Sequence, residues 1–187
     1  MPYIQTIPES EASGELAELY RRLAYPDGSV DEAFKVLSLN PKLLAADAAL
    51  YEAIMHGESP LSRAERELLA LTVSRINGCE PCLRHHSARY RALSASAASS
   101  HSVDVQGGAL PSERERVFLA FATRLTQEPR AVTAADIDAL RRVDLDDRAI
   151  LDMCNLVAYF SYANRITLGL GVSPAPEPPG MRPGQVP

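Results

Sequence analysis

Apolar side chains recur along this chain at three- and four-residue intervals, and no convincing alternating run suggests a strand. Leu16, Leu19, Tyr20 and Leu23 make one helical stripe. Asn40-Pro41 opens the next helix, because Pro at the first helical position lacks only an N–H that would be unpaired anyway. Its stripe, Leu44, Ala48, Tyr51 and Met55, runs to a glycine stop at Gly57. Ser62 with Glu65 reads as a capping box ahead of Leu69, Val73 and Ile76. Ser112 with Glu115 repeats the device before Val117, Phe118, Phe121 and Leu125, and Thr133 with Asp136 offers a third. The last long helix is expected from about Asp146 to about Leu168, with Ile150, Leu151, Cys154, Val157 and Ala158 as a broad apolar face.

Two stretches break the pattern. Residues 94–108, rich in Ser, Ala and Gly, read as a flexible connection. Residues 173–187 hold six of the 14 prolines and cannot form a helix. They read as a Pro-rich tail, mobile or draped over a neighbouring subunit. The expected organisation is therefore one all-α domain over residues 1–172 and a tail over 173–187. The domain divides into N-terminal helices (9–57), a helical hairpin (61–98) and C-terminal helices (112–170). No repeat of fixed period interrupts this order.

Composition narrows the function. The 187 residues carry a net charge of −5 and no long Lys/Arg run, which argues against a non-specific grip on nucleic acid or anionic lipid. Residues 149–166, the most apolar stretch, contain Asp152, Asn155 and Asn164 and fall short of a membrane span. The N-terminus has no basic n-region and no apolar h-region, so the expected location is cytoplasmic. Three cysteines do not make a disulfide scaffold, but two of them, Cys79 and Cys82, form a Cys-x-x-Cys pair.

Asn77-Gly78 ends one helix, and Pro81 suits the first turn of the next. Cys82 then lies in a first helical turn, where unpaired N–H groups and the macrodipole favour a thiolate. Cys79, just outside the helix, is placed to attack an oxidised Cys82. His86 follows Cys82 by four residues and His85 by three, so spacing alone leaves either as the neighbouring base. Glu67, with Ala64, Ala70 and Leu71 as helix neighbours, reads as a partly buried carboxylate at the rim. Half a zinc site is the rival reading of the cysteine pair. It would have to be completed from Cys154, His56, His85, His86 and His101, whose spacing matches no common finger. Cys154, on an apolar stripe, reads as a buried structural thiol. Asn164 and Arg165 read as residues that hold helices or subunits together. No glycine-rich phosphate loop is present, and no metal, haem, flavin or nucleotide is expected.

Glu67, eleven intervening residues, Cys79-x-x-Cys82, three more residues and His86 resemble the signature of the AhpD-like (carboxymuconolactone decarboxylase-like) family. The surrounding Ser74-Arg-Ile-Asn-Gly-Cys79 and His85-His86, and Tyr162-Ala-Asn164-Arg165-Ile166, look like its peroxidase-related branch, and the likeness runs from about Tyr3 to Val172. The resemblance implies an AhpD-like helical bundle that assembles as a homo-oligomer and reduces alkyl hydroperoxides. It implies Cys82 as the peroxide-attacking thiol, Cys79 as the resolving thiol, and His86 with Glu67 as a proton relay. A dithiol or thioredoxin-like protein would be the reductant. The rival within the family is a decarboxylase-like member, which does not use the cysteine pair; outside it, a thiol redox sensor without turnover. Some members carry a His between the cysteines, whereas this chain has Glu80-Pro81, and a negative Glu80 would oppose thiolate formation.

Overall fold

The computed structural model describes residues 2–96 and 111–173. Among these residues the chain forms eight α-helices and no strand: α1 (Gly14–Leu23), α2 (Glu32–Lys35), α3 (Pro41–Met55), α4 (Arg63–Ile76), α5 (Glu80–Ser96), α6 (Glu113–Gln127), α7 (Ala134–Arg142) and α8 (Asp147–Gly169). Two short 3-10 turns, Glu9–Glu11 and Pro129–Ala131, precede α1 and follow α6. Most of the expected flexible connection and the Pro-rich tail, from 174 onward, lie outside the described residues.

Local side-chain chemistry sets most of the helix starts. Ser62 Oγ accepts from the Glu65 N–H at 3.2 Å, while Glu65 Oε2 accepts from the Ser62 N–H at 2.7 Å. Ser112 and Glu115 reciprocate in the same way at 3.2 and 2.8 Å. At Asn40 the side-chain oxygen accepts from the Leu43 N–H, and Pro41 takes the first helical position. Asp146 caps α8 by accepting from the Ala149 N–H at 2.8 Å. Each such cap satisfies backbone donors that the helix itself cannot, a contribution of about 1 kcal/mol.

Helix α4 is the hub, packed against α5, α6 and α8. Leu69, Ala70 and Val73 of α4 meet Phe118, Phe121 and Ala122 of α6 and Met153, Leu156, Val157 and Phe160 of α8 in the main core. A second apolar cluster joins α1 to α3 through Leu16, Leu19, Tyr20, Val36, Leu37 and Leu44. The buried face of α8 is rotated from the one expected. Ile150 and Val157 face inward, but Leu151 and Ala158 are exposed, and the inner line instead runs through Ala149, Met153, Leu156, Phe160, Asn164 and Thr167. Cys154 is half-buried against the edge of the main core, and burial pushes its thiol pKa up.

Buried polar groups tie the elements together. Arg66 is sunk under the end of α3: its Nε donates to the Leu61 carbonyl, and its Nη1 donates to the carbonyls of Met55 and Gly57 at 3.0 and 2.8 Å. Asn164, fully buried, accepts from Asn77 Nδ2 at 3.0 Å and donates to Ser74 Oγ at 3.2 Å, fixing α8 to the end of α4. The expectation that Asn164 holds helices together is met. Arg165 is exposed and donates to the Ser161 carbonyl of its own helix.

Asp47 of α3 is also buried. Tyr159 donates to its Oδ2 at 3.4 Å, its Oδ1 has no partner among the described residues, and burial raises its pKa to about 6. A carboxyl whose folded pKa lies above its unfolded value favours folding at low pH, and that advantage is lost as pH rises through about 6. Asp47→Asn should therefore gain stability relative to the parent above that pH, by about 1–3 kcal/mol at neutrality. Urea melts of both proteins at pH 5 and pH 8 measure it. A difference that does not grow toward pH 8 contradicts the assignment.

Candidate functional site

The turn between α4 and α5 is built to present a cysteine pair. After Asn77 closes α4, Gly78 adopts φ +69°, a left-handed conformation that glycine reaches without cost from a β-carbon. The Gly78 N–H then donates to the Arg75 carbonyl at 3.1 Å and the Cys79 N–H to the Ser74 carbonyl at 2.9 Å, the paired closure of a Schellman motif. Cys79 occupies the cap of α5, its carbonyl accepting from the Leu83 N–H at 2.8 Å. Glu80, Pro81 and Cys82 are the first three residues of that helix. Cys82 thus sits where the N-terminal N–H groups favour negative charge.

Cys79 and Cys82 are joined as a disulfide. Cys79 is wholly buried, whereas Cys82 is partly exposed. Glu80, the residue expected to oppose a thiolate, is exposed and pairs with Arg84 one turn on at 3.0 Å, which spends its charge away from the cysteines.

One turn beyond Cys82, His86 is buried and its Nδ1 lies 2.7 Å from Glu67 Oε2. Glu67 is 0% exposed, so the rim position read from its neighbours is corrected: α5 covers α4 there. Burial pushes the Glu67 carboxyl up, but the His86 charge and hydrogen bond, with Arg89 beyond, outweigh it and hold the group below the usual carboxylate range. The stability this pairing contributes is present above the ordinary carboxylate pKa and is lost as pH falls through the lowered one. Because an ionised carboxylate can only accept, Nδ1 carries the proton, and in the neutral imidazole Nε2 holds the lone pair a base needs. The Phe160 ring, edge-on at 4.6 Å, and the His85 ring at 5.0 Å hold the imidazole in place.

His85, the alternative base by spacing, points elsewhere. Its Nδ1 approaches Asp31 Oδ2 at 3.5 Å, beside the Tyr25 hydroxyl that donates to the same oxygen at 2.9 Å. Burial, together with the charges of Arg89 and His86, lowers its pKa well below the ordinary value, so it stands neutral and the Asp31 contact is not an ion pair.

Four further residues complete the surroundings. Arg63 Nη2 stands 3.7 Å from Glu67 Oε1, an oxygen without a hydrogen bond among the described residues, while its Nη1 meets His56 Nδ1 at 2.6 Å. Arg89, buried on α5, donates from Nη1 to the Tyr51 hydroxyl at 2.7 Å. Sequence reasoning missed Arg63 and Arg89, read Tyr51 as core, and weighed His56 only as a candidate ligand of the rival zinc site. The usable signal was helical spacing: Arg63 precedes Glu67 by four residues and Arg89 follows His86 by three. The open hollow lined by Leu119, Thr123, Arg124, Gln127, Pro129 and Arg130 contains none of the candidate residues.

Comparisons with known proteins agree with the sequence resemblance. The model of the carboxymuconolactone decarboxylase family matches residues 41–103. A peroxidase-related protein of Silicibacter sp. TM1040 is 30% identical, with 94% of this chain and 90% of that one aligned at a TM-score of 0.74. A peroxidase-related protein of Ralstonia eutropha JMP134, described as an alkylhydroperoxidase AhpD core, superposes at 0.81 with 24% identity over 94% and 93% of the two chains. The debrominase Bmp8, solved with 2,3,4-tribromopyrrole, shares the fold at 18% identity and a TM-score of 0.71 over 94% of each chain. No curated protein matches the chain.

Proposed function

Because the chain belongs to the AhpD-like, carboxymuconolactone decarboxylase-like superfamily, we propose that it is a thiol-dependent hydroperoxide reductase working through Cys79 and Cys82. The observation that carries the reading is the buried His86–Glu67 hydrogen bond of 2.7 Å, one helical turn from a cysteine that is itself joined to a neighbouring cysteine. A structural disulfide has no use for a buried, carboxylate-oriented imidazole beside it. A thiol that must ionise and then protonate a leaving oxygen does.

In the proposed cycle His86 Nε2 takes the Cys82 proton. The Cys82 thiolate attacks the outer peroxide oxygen, the O–O bond breaks, and the departing alkoxide receives the proton from His86. Cys82 is left as a sulfenic acid and the hydroperoxide is reduced to an alcohol. The Cys79 sulfur attacks that sulfur and closes the disulfide found here, and the thiol proton leaves with the expelled hydroxide as water. A dithiol or thioredoxin-like partner then returns both sulfurs to thiols by exchange. A reducing cytoplasm would supply such a partner, and no helix among the described residues is long and apolar enough to cross a membrane. The same reading includes a homo-oligomer, for which Leu43 and Leu50 of α3 and Leu151 and Tyr162 of α8 offer exposed apolar side chains.

The test is a steady-state assay of the reduced protein with hydrogen peroxide, tert-butyl hydroperoxide and cumene hydroperoxide, regenerated by dihydrolipoamide or thioredoxin. Continuous turnover that depends on both peroxide and dithiol is expected. Oxidation that stops after one equivalent with every reductant would instead identify a redox sensor.

A further inference from the structure

Among the described residues two arginines, Arg66 and Arg89, are almost wholly buried, and they are satisfied very differently. Arg66 donates to the backbone carbonyls of Leu61, Met55 and Gly57. Arg89 is 7% exposed, and among the described residues it makes one hydrogen bond, from Nη1 to the Tyr51 hydroxyl; its Nε is buried without an acceptor. No nearby carboxylate hydrogen-bonds it, although buried Glu67 offsets its charge through space. Glu67 accepts from His86, and Asp31 accepts from the Tyr25 hydroxyl and caps α2 through the Ala33 N–H. A guanidinium has five N–H donors, and a buried donor left without an acceptor is costly until a group that can accept joins it, which an anion does best.

Its position says which anion. Arg89 lies on the helix face of the site, three residues after His86 and seven after Cys82. At 1.5 Å per residue its Cα stands about 10 Å along the axis from that of Cys82. Helical side chains lean toward the N-terminus, so its guanidinium reaches back toward the cysteine end. The Tyr51 ring that holds it packs edge-on against Phe34 at 5.8 Å, which makes the wall beside it aromatic.

We propose that Arg89 is the substrate's anion anchor: the preferred hydroperoxides carry a carboxylate, which Arg89 binds while the peroxide group meets Cys82. This rests on the peroxidase reading and adds a substrate class to it. The chemical step is unchanged, with Cys82 attacking, the O–O bond breaking and the alcohol departing with its carboxylate intact. The carboxylate supplies the acceptors that Arg89 lacks, in the paired geometry a guanidinium favours.

The experiment compares cumene hydroperoxide bearing a para-carboxylate with its methyl ester, using wild type, Arg89→Met and Arg89→Lys. In wild type kcat/KM should favour the acid by about 10–100-fold, the range a charged hydrogen bond supplies. Arg89→Met should bring the acid-to-ester ratio near one, and Arg89→Lys should keep part of it. Should Arg89→Met not fold, Arg89→Gln takes its place, since it can still donate to Tyr51 but carries no charge. Equal use of acid and ester by wild type, or a preference that survives loss of the charge, overturns the proposal. If neither hydroperoxide is turned over, the peroxidase reading fails by itself and the anchor is judged by thermal shift of the reduced protein. Benzoate, and not benzamide, should then raise the Tm of wild type but not of the uncharged variant, and no benzoate shift in wild type overturns it.

Discussion

A Cys82→Ser protein is expected to reduce no hydroperoxide above the uncatalysed background, whereas Cys79→Ser should consume one equivalent and stop. The asymmetry follows from where the turn places the two sulfurs. Cys79 caps α5 and is wholly buried, closed in by the Schellman turn before it. Cys82 is partly exposed, in the first turn of the same helix and one turn before His86. Only Cys82 therefore combines access, a helix terminus that favours its anion and a neighbouring base. With Cys79 absent, the sulfenic acid on Cys82 has no adjacent thiol to condense with and should persist. Stopped-flow peroxide consumption, followed by mass mapping of a sulfenic-acid-trapping reagent, reads both outcomes. If Cys82→Ser still consumes the first equivalent, or the trapped sulfur is that of Cys79 in wild type, the two roles are reversed.

How far the chain can be read without its fold depends on the range of the interaction. The caps at Ser62, Ser112 and Asp146 and the glycine closure at Gly78 involve neighbours within a few residues, and they stand where the sequence places them. The phase of α8 does not. Apolar residues on both sides, with Leu151 next to Ile150, leave the 3.6-residue period ambiguous. The true inner line also includes Asn164, a polar residue accepted there because Asn77 and Ser74 hydrogen-bond it from α4. The family motif carries the site in the same uneven way. It names Glu67 and His86, but local pattern puts Glu67 at a rim, because its burial comes from α5, which crosses it with His86 19 residues later. The pairings Arg89–Tyr51, 38 residues apart, and Tyr159–Asp47, 112 apart, leave no trace in local spacing. Arg63 was readable as a partner of Glu67, four residues before it on one helix, yet nothing in the spacing shows that His56 holds its other end.

The remaining large effect concerns the relay. Removing the imidazole in His86→Ala should slow the peroxide step by about 10²–10⁴-fold, the usual worth of a positioned acid–base group. Glu67 should act through His86 and never on peroxide, because it is wholly buried and its bonded oxygen faces Nδ1. It fixes the tautomer that leaves Nε2 as the base and stabilises the imidazolium formed when the thiol gives up its proton. Glu67→Gln keeps the shape but lets the amide either accept from Nδ1 without the charge or donate to it and select the wrong tautomer. A smaller loss is expected, and the double variant should be little slower than His86→Ala alone, since groups that act as one unit are not additive. Folding must be checked in parallel, because Glu67 also faces Arg63 at 3.7 Å and offsets the buried charge of Arg89. Single-turnover rates, corrected for the folded fraction, separate the two effects. Losses that multiply in the double variant would mean that Glu67 supports the helix pair and not the base.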